Sequence, residues 1–277
     1  MKTWFITGAS TGLGRCIAER VLEQGDCVAA VSIDPENRTD YPERFGERVM
    51  VRYLDVSDAA MAEKVFGEAV ERFGKIDVCV NNAGFMLFGA IEEIAPERAR
   101  SIMDVNFFGT YYLSRLAARH MRENRSGTII QMSSLAAVDV LAGNGLYGAS
   151  KWAVEGMSLA LAHELKSFGV RVVLIEPGVI KTGIEKRSQT VNDGVYSEVL
   201  RDGLLRWRDH DDSGSDGDPV KCAKVIVELA ESEKLPARLP LTSFAYEISQ
   251  TVNKVRFEEA EEWKNWSIKA DFNYKGE

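Results

Sequence analysis

The chain of 277 residues is 45% hydrophobic and sets 34 Lys and Arg against 42 Asp and Glu, a net charge of −8. Its length suits one large domain or two small ones, its apolar content is ample for a core, and its charge has the wrong sign for a partner built of nucleic acid phosphates or anionic lipid. No apolar run approaches the about 20 residues that a bilayer crossing needs, and MKTWFITG breaks where a signal peptide would continue, so the chain reads as cytoplasmic, without a membrane or nucleic acid partner. Cys16, Cys27, Cys79 and Cys222 lie far apart without metal-ligand spacing, which predicts reduced thiols and neither a disulfide nor a zinc site.

A strand-like run, Trp4 to Thr7, leads into a helical pattern from Leu13 to Gln24, in which Leu13, Ile17 and Val21 form one apolar stripe and Gly25 stands where a C-terminal cap belongs. Strands follow over Val28 to Ile33 and Val49 to Leu54, then a helix from Ala59 to Phe73 and a strand from Ile76 to Val80. A long helix from Glu97 to Met121, a strand from Thr128 to Met132, a helix from Leu146 to Phe168 and a strand from Val170 to Ile175 complete the alternation. The pattern predicts an α/β fold, a doubly wound parallel sheet of Rossmann type with helices on both faces. Residues 183–218 show no clean period and run through DHDDSGSDGDP, which predicts a mobile surface segment; its five aspartates and His210 read as a solvated acidic loop rather than a metal site. Asp218 and Pro219 look like the N-cap and first position of a helix through Leu229. Ile248, Val252 and Val255, followed by Trp263 and Trp266, predict a final helix lying against the body. With no repeat or linker, residues 1–277 read as a single domain.

Two constellations carry chemistry. Gly8, Gly12 and Gly14 in TGASTGLG stand where a strand turns into a helix whose first amides face the crevice, a turn that favours a phosphate. Tyr147 and Lys151 lie one turn apart on one helix face, so the ammonium is expected to lower the phenol's pKa and make the pair an acid and base. Ser133 and Ser134, at the end of the preceding strand, could bring a hydroxyl beside Tyr147.

From Thr3 to about Thr182 the sequence resembles the short-chain dehydrogenase/reductase family. It carries that family's TGxxxGxG as TGASTGLG, its Asp-Val as Asp55 and Val56, its NNAG as Asn81, Asn82, Ala83 and Gly84, its active-site Asn as Asn106 in DVNFFG, its YxxxK as Tyr147 to Lys151, and its PGxxxT as Pro177, Gly178 and Thr182. The family's spacing selects Ser134, thirteen residues before Tyr147, as the catalytic serine. The resemblance implies NAD(P)-dependent hydride transfer between a nicotinamide and a carbonyl or alcohol. Tyr147 would be general acid and base and Ser134 would hold the reacting oxygen. Lys151 would tune Tyr147 and bind the nicotinamide ribose, and Asn106, disturbing its helix, would seat a water joining Lys151 to solvent.

The resemblance also implies cofactor contacts from the loop residues Ser10, Thr11 and Leu13 beside its glycines, from Ser32 and Asp34, from Asp55 with Val56, from Asn82, Ala83 and Gly84, and from Pro177, Gly178 and Thr182, with Asn81 supporting the loop beneath the adenosine ribose. Ser32 stands eighteen residues after Gly14, where the family's NAD-type members carry an acid, and Thr11 and Ile33 replace the basic residues of its NADP-type members. Asp34 would bind a ribose 2′-hydroxyl and Arg38 could pair with a 2′-phosphate, a balance that leans slightly to NAD. Met86, Leu87, Phe88, Leu135, Leu141 and Trp207 are candidate walls for an apolar or ring-containing substrate. The segment 183–218 would be the substrate lid, and residues 243–277 a helical extension in place of a short tail. Phe107, Phe108, Tyr111 and Tyr112 give one long helix apolar residues on more than one face, which suggests a homo-oligomer, dimer or tetramer. A dinucleotide-sensing protein without turnover is the rival reading, against which the joint presence of Asn106, Ser134, Tyr147 and Lys151 counts. An epimerase or dehydratase would want a longer chain with a sugar-binding domain.

Overall fold

The structure, a computed structural model, describes residues 1–38, 40–183, 189–190, 194–208 and 216–272, with backbone alone at 37–38, 189–190 and 203–208. Its centre is β1 (Thr3–Thr7), buried along its whole length: Trp4 and Ile6 face one layer of helices and Phe5 the other. A strand buried on both faces needs a continuous apolar run rather than alternation, and the sequence TWFIT supplies it. Around it stand β2 (Cys27–Ser32), β3 (Val49–Tyr53), β4 (Val78–Asn81), β6 (Gly127–Met132), β7 (Val170–Pro177) and β9 (Arg238–Leu241), while β5 (Leu87–Phe88) pairs apart with β8 (Gln189–Thr190). The seven strands of the main sheet run parallel in the order β3, β2, β1, β4, β6, β7, β9. The order reverses between β1 and β4, which opens a crevice at the strands' carboxyl ends.

Helices α1 (Gly12–Glu23), α2 (Tyr41–Phe45) and α8 (Pro219–Glu231) cover one face around Ile17, Val21, Tyr41, Ile226 and Val227. The other face is covered by α3 (Ala59–Phe73), α5 (Thr110–Asn124) and α6 (Gly145–Leu165), which bury Phe66, Leu113, Met121 and Leu165. The Asp218 carboxylate caps α8 by accepting from the Val220 and Lys221 amides at 2.7 and 3.2 Å, with Pro219 at the first helical position, as expected.

Four expectations need correction. The helix expected over Glu97 to Met121 is two helices, α4 (Pro96–Met103) and α5, joined by a π turn at Asp104–Gly109. The segment 183–218 is not without structure, because α7 (Ser197–Arg208) forms there and buries Leu200 against Phe88 and Ala90; residues 209–215, with His210, lie outside the described residues. The strand β9 went unread, since Pro240 cannot donate to a ladder; it is tolerated because β9 lies at the sheet edge. The final helix, α9 (Ser243–Glu262), packs apolar side chains on the body over its first turns, where Ala245 is buried and Phe244, Ile248 and Val252 meet Leu135 and Val138. Beyond them Phe257, Trp263 and Trp266 are 67%, 52% and 65% exposed, and α10 (Lys264–Ser267) follows with no buried residue.

Candidate active site

The glycine-rich turn between β1 and α1 is shaped by close approach. A side chain at Gly14 would collide with the Gly8 carbonyl oxygen and Asn82 Nδ2, so α1 can sit this near β1 only with glycine there. Thr11 at the N-cap makes no side-chain capping bond and the first turn of α1 holds no acidic residue, so the helix's opening amides and positive dipole end suit an anion. A Cβ at Gly12 would lie 3.3 Å from Thr182 Cβ, which brings the far end of the Pro177–Thr182 stretch onto the same turn. Leu13 turns its side chain into the core and offers only backbone.

Asn82 anchors this turn. Its Nδ2 donates to the Thr7 and Gly8 carbonyls at 2.9 and 3.4 Å, and the amides of Asn82 and Ala83 both donate to the Thr7 hydroxyl at 2.9 Å. Asn81, expected beneath the ribose loop, points the other way: its Nδ2 donates to Ser114 Oγ at 3.0 Å and Gln131 Oε1 at 2.8 Å, inside the α5 face of the sheet. Strand alternation is the reason, because neighbouring residues of β4 face opposite layers. At the adenosine end, the buried Ser10 hydroxyl donates to Asp34, which sets that carboxylate beside the phosphate turn, while Ser32 is buried in β2. The side chain of Arg38 lies outside the described residues. Asp55 Oδ1 accepts from the Ser57 amide and hydroxyl at 2.9 and 2.7 Å, and Val56 packs against Gly109 at the π turn.

At the other end of the crevice the four expected catalytic residues converge. Asn106 is fully buried in the π turn, where its Nδ2 donates to the Phe85 carbonyl and Ser150 Oγ at 3.0 and 3.1 Å and its Oδ1 accepts from the Phe85 amide at 3.0 Å. A Cβ at Gly84 would stand 3.0 Å from Asn106 Oδ1 and 3.6 Å from Lys151 Nζ, so backbone at Gly84 separates amide from ammonium. Lys151 Nζ donates to the Met132 carbonyl at 2.8 Å and lies 5.9 Å from the centre of the Tyr147 ring. Ser134 hydrogen-bonds the Tyr147 phenol and accepts from the Ala136 amide at 3.1 Å, whereas Ser133 Oγ is buried with no partner among the described residues.

The electrostatics depart from the expectation that Lys151 acidifies Tyr147. Burial pushes the phenol up from its ordinary value, opposed by the Ser134 hydrogen bond, and burial pulls the Lys151 ammonium down to about 8. Desolvation outweighs the pairing because the ammonium is turned to a backbone carbonyl. Of the candidate walls, Leu87 belongs to the core beside Tyr147, and Leu135 packs under α9; Phe88 faces α7, Met86 and Leu141 are half-buried, and the side chain of Trp207 lies outside the described residues. Ser150 and Thr7 were not singled out from the sequence, though each adjoins a recognised residue, Lys151 and Gly8.

The short chain dehydrogenase family matches residues 2–193. The chain belongs to that family. An oxidoreductase of Botryotinia fuckeliana, BOA17, is 34% identical over 96% of this chain and 98% of its own. A short-chain dehydrogenase from Streptomyces avermitilis superposes with a TM-score of 0.89 at 32% identity, covering 98% of each chain, so a relative of this short-chain dehydrogenase extends over the C-terminal helices as well. Two further similar structures differ in what they hold. A serine dehydrogenase complexed with NADP+ is 25% identical with a TM-score of 0.76, covering 87% of this chain and 95% of its own. A 3-ketoacyl-(acyl-carrier-protein) reductase from Brucella melitensis complexed with NADH is 25% identical with a TM-score of 0.75, covering 86% and 94%. The protein is thus an oxidoreductase of the short-chain dehydrogenase family, and no helix among its described residues is long and apolar enough to cross a membrane.

Proposed function

We propose that this short-chain dehydrogenase interconverts a carbonyl and a secondary alcohol with NAD or NADP, using Tyr147 as its acid and base. The observation that carries the reading is the convergence of Tyr147, Ser134, Lys151 and Asn106 at the end of the crevice whose other end is the glycine turn. A dinucleotide fits the residues present: the opening amides of α1 and Thr182 would hold its pyrophosphate, Asp34 and Asp55 its adenosine end, and Ala83, Gly84, Pro177 and Gly178 its nicotinamide end. When bound, the nicotinamide supplies or takes up the hydride. The phenol of Tyr147 gives its proton to the carbonyl oxygen in reduction and takes the alcohol's proton in reverse, while Ser134 hydrogen-bonds that oxygen. Lys151 would hold the ribose hydroxyls of a bound dinucleotide in exchange for its Met132 contact, and Asn106, in the π turn, would seat a water that joins Lys151 to solvent, from which the proton is replaced. Phe88, Met86 and Leu141 favour an apolar or ring-containing substrate. The four free thiols suit the reducing cytoplasm in which we place the enzyme, working as a homo-oligomer.

Reduction of a ketone panel, followed as loss of the reduced nicotinamide absorbance, tests this. Tyr147→Phe is expected to lower kcat by about 10²–10⁴-fold with dinucleotide affinity nearly unchanged. Full activity in that variant would remove Tyr147 from the mechanism, and binding without turnover in the unaltered protein would favour a dinucleotide sensor.

A further inference from the structure

Beneath the crevice, α6, β7 and β9 gather three charged residues that take no part in the proton exchange described above. Glu155 follows Lys151 by four residues, one turn along the same face of α6, and its Oε2 accepts from Arg238 Nε at 2.6 Å. Glu176, the residue before Pro177, lies on the face of β7 that Val170 and Val172 turn toward α6, with its Oε1 3.4 Å from the same Nε. Glu176 is 2% exposed and Glu155 8%, and each has an Oε1 with no hydrogen-bond partner among the described residues. One guanidinium therefore serves two buried carboxyl groups.

Two such groups beside one cation do not both ionise readily, because the second charge is desolvated without a counter-charge. Burial first, and then the neighbouring Glu155, lift Glu176 to about 7, against the pull of Arg238. The other charges nearby are already engaged. Lys151 donates to Met132, Arg256 of α9 donates to the Val138 carbonyl at 2.7 Å, and β6 presents only the uncharged Gln131 and Met132, followed by Ser133, at this level. With Glu176 protonated the trio is neutral overall; ionised, it carries one uncompensated negative charge between the catalytic helix and the strand that ends in Pro177.

We propose that Glu155, Arg238 and Glu176 form a positioning cluster that holds one exchangeable proton and sets Pro177 and Gly178 against the helix bearing Tyr147 and Lys151, so that the dinucleotide binds more tightly below neutrality than above it. The inference rests on the reading of Pro177 and Gly178 as dinucleotide contacts. Loss of the proton draws water or a counter-ion between β7 and α6 and moves the strand end that Gly178 fixes by donating its amide hydrogen to the Leu241 carbonyl at 3.1 Å. The sign for stability follows from the raised value. The folded carboxyl keeps its proton while the unfolded one, near 4.5, loses it, so the cluster's stabilisation is full below about 4.5 and is lost as pH rises to about 7.

The test titrates the full chain with NADH and with NADPH from about pH 5.5 to about pH 8.5, alongside infrared difference spectra of the protonated carboxyl stretch. The unaltered protein is expected to lose that band across neutrality and to bind the dinucleotide about fivefold more weakly at the alkaline end. Glu176→Gln should lack the band and hold its affinity at the tighter value throughout. Arg238→Met should move both transitions upward in pH and Arg238→Lys should restore them, so the question stays open to measurement even where one variant fails to fold. A band that does not titrate, or a pH-dependent affinity that survives Glu176→Gln, would overturn the coupling. A titrating band in a protein that binds neither dinucleotide at any pH would instead overturn the function on which the coupling rests.

Discussion

Tyr147 and Lys151 show how much a residue's chemistry depends on its setting. The four-residue spacing was readable from the chain, and so was their shared face; the direction in which each is perturbed was not, because it turns on burial and on the Met132 carbonyl. Asp34 is a second case. It stands next to Ser10 at the phosphate turn, where its negative charge would oppose a 2′-phosphate and accept from a 2′-hydroxyl. A unit charge a few ångströms from a phosphate in a solvated cleft is worth about 1 kcal/mol, so Asp34→Ala is expected to tighten NADPH about fivefold relative to NADH in parallel fluorescence titrations. Unchanged discrimination would mean that this carboxylate does not choose the cofactor.

At the scale of elements, Asp218 gives a direct check on how α8 begins. Its carboxylate satisfies two of the helix's opening amides, so Asp218→Ala is expected to remove about 1 kcal/mol and lower the Tm by about 2 °C in a thermal melt, with dinucleotide affinity preserved. That cap, the boundaries of α3 and the glycine turn were all legible in the sequence because each is a local pattern. What was missed depends on distant partners. Gly203 and the charges around it hide α7, which is a helix with Leu200 set against Phe88. Pro240 hides β9, which is viable only because the sheet ends there. The side to which Asn81 turns was decided by Ser114 and Gln131, far away in the chain. The residues we propose for catalysis were read through motifs, whereas the ionic trio of Glu155, Arg238 and Glu176 belongs to three separate elements and left no sequential trace.

Viewed whole, the molecule leaves aromatic side chains uncovered, among them two groups on its helices. Phe108 and Tyr111 lie exposed at the start of α5, and Trp152 on α6 carries the Arg256 guanidinium of α9 5.3 Å from its ring centre, which links that area to the projecting C-terminal helix with Phe257, Trp263 and Trp266. Exposed aromatic area of this kind usually meets a partner. A second copy of the chain is the expected one, so sedimentation velocity at micromolar concentration should give a dimer or tetramer, and Trp152→Ser should shift it toward monomer. A monomer at all concentrations in the unaltered protein would contradict this.

The π turn at Asp104–Gly109 has a consequence for how this chain can change over time. A wide turn holds a residue more than an α-helix would over the same span, so the apolar stripe of α5 falls one place later in the chain than an unbroken continuation of α4 would put it. Deleting one residue between them would let the turn close to an α-helix over that span and leave Leu113, Ala117 and Met121 on the sheet. What would go is the bulge that carries Asn106 to Phe85 and Ser150, so this stretch can shorten without displacing α5 but not without losing those bonds.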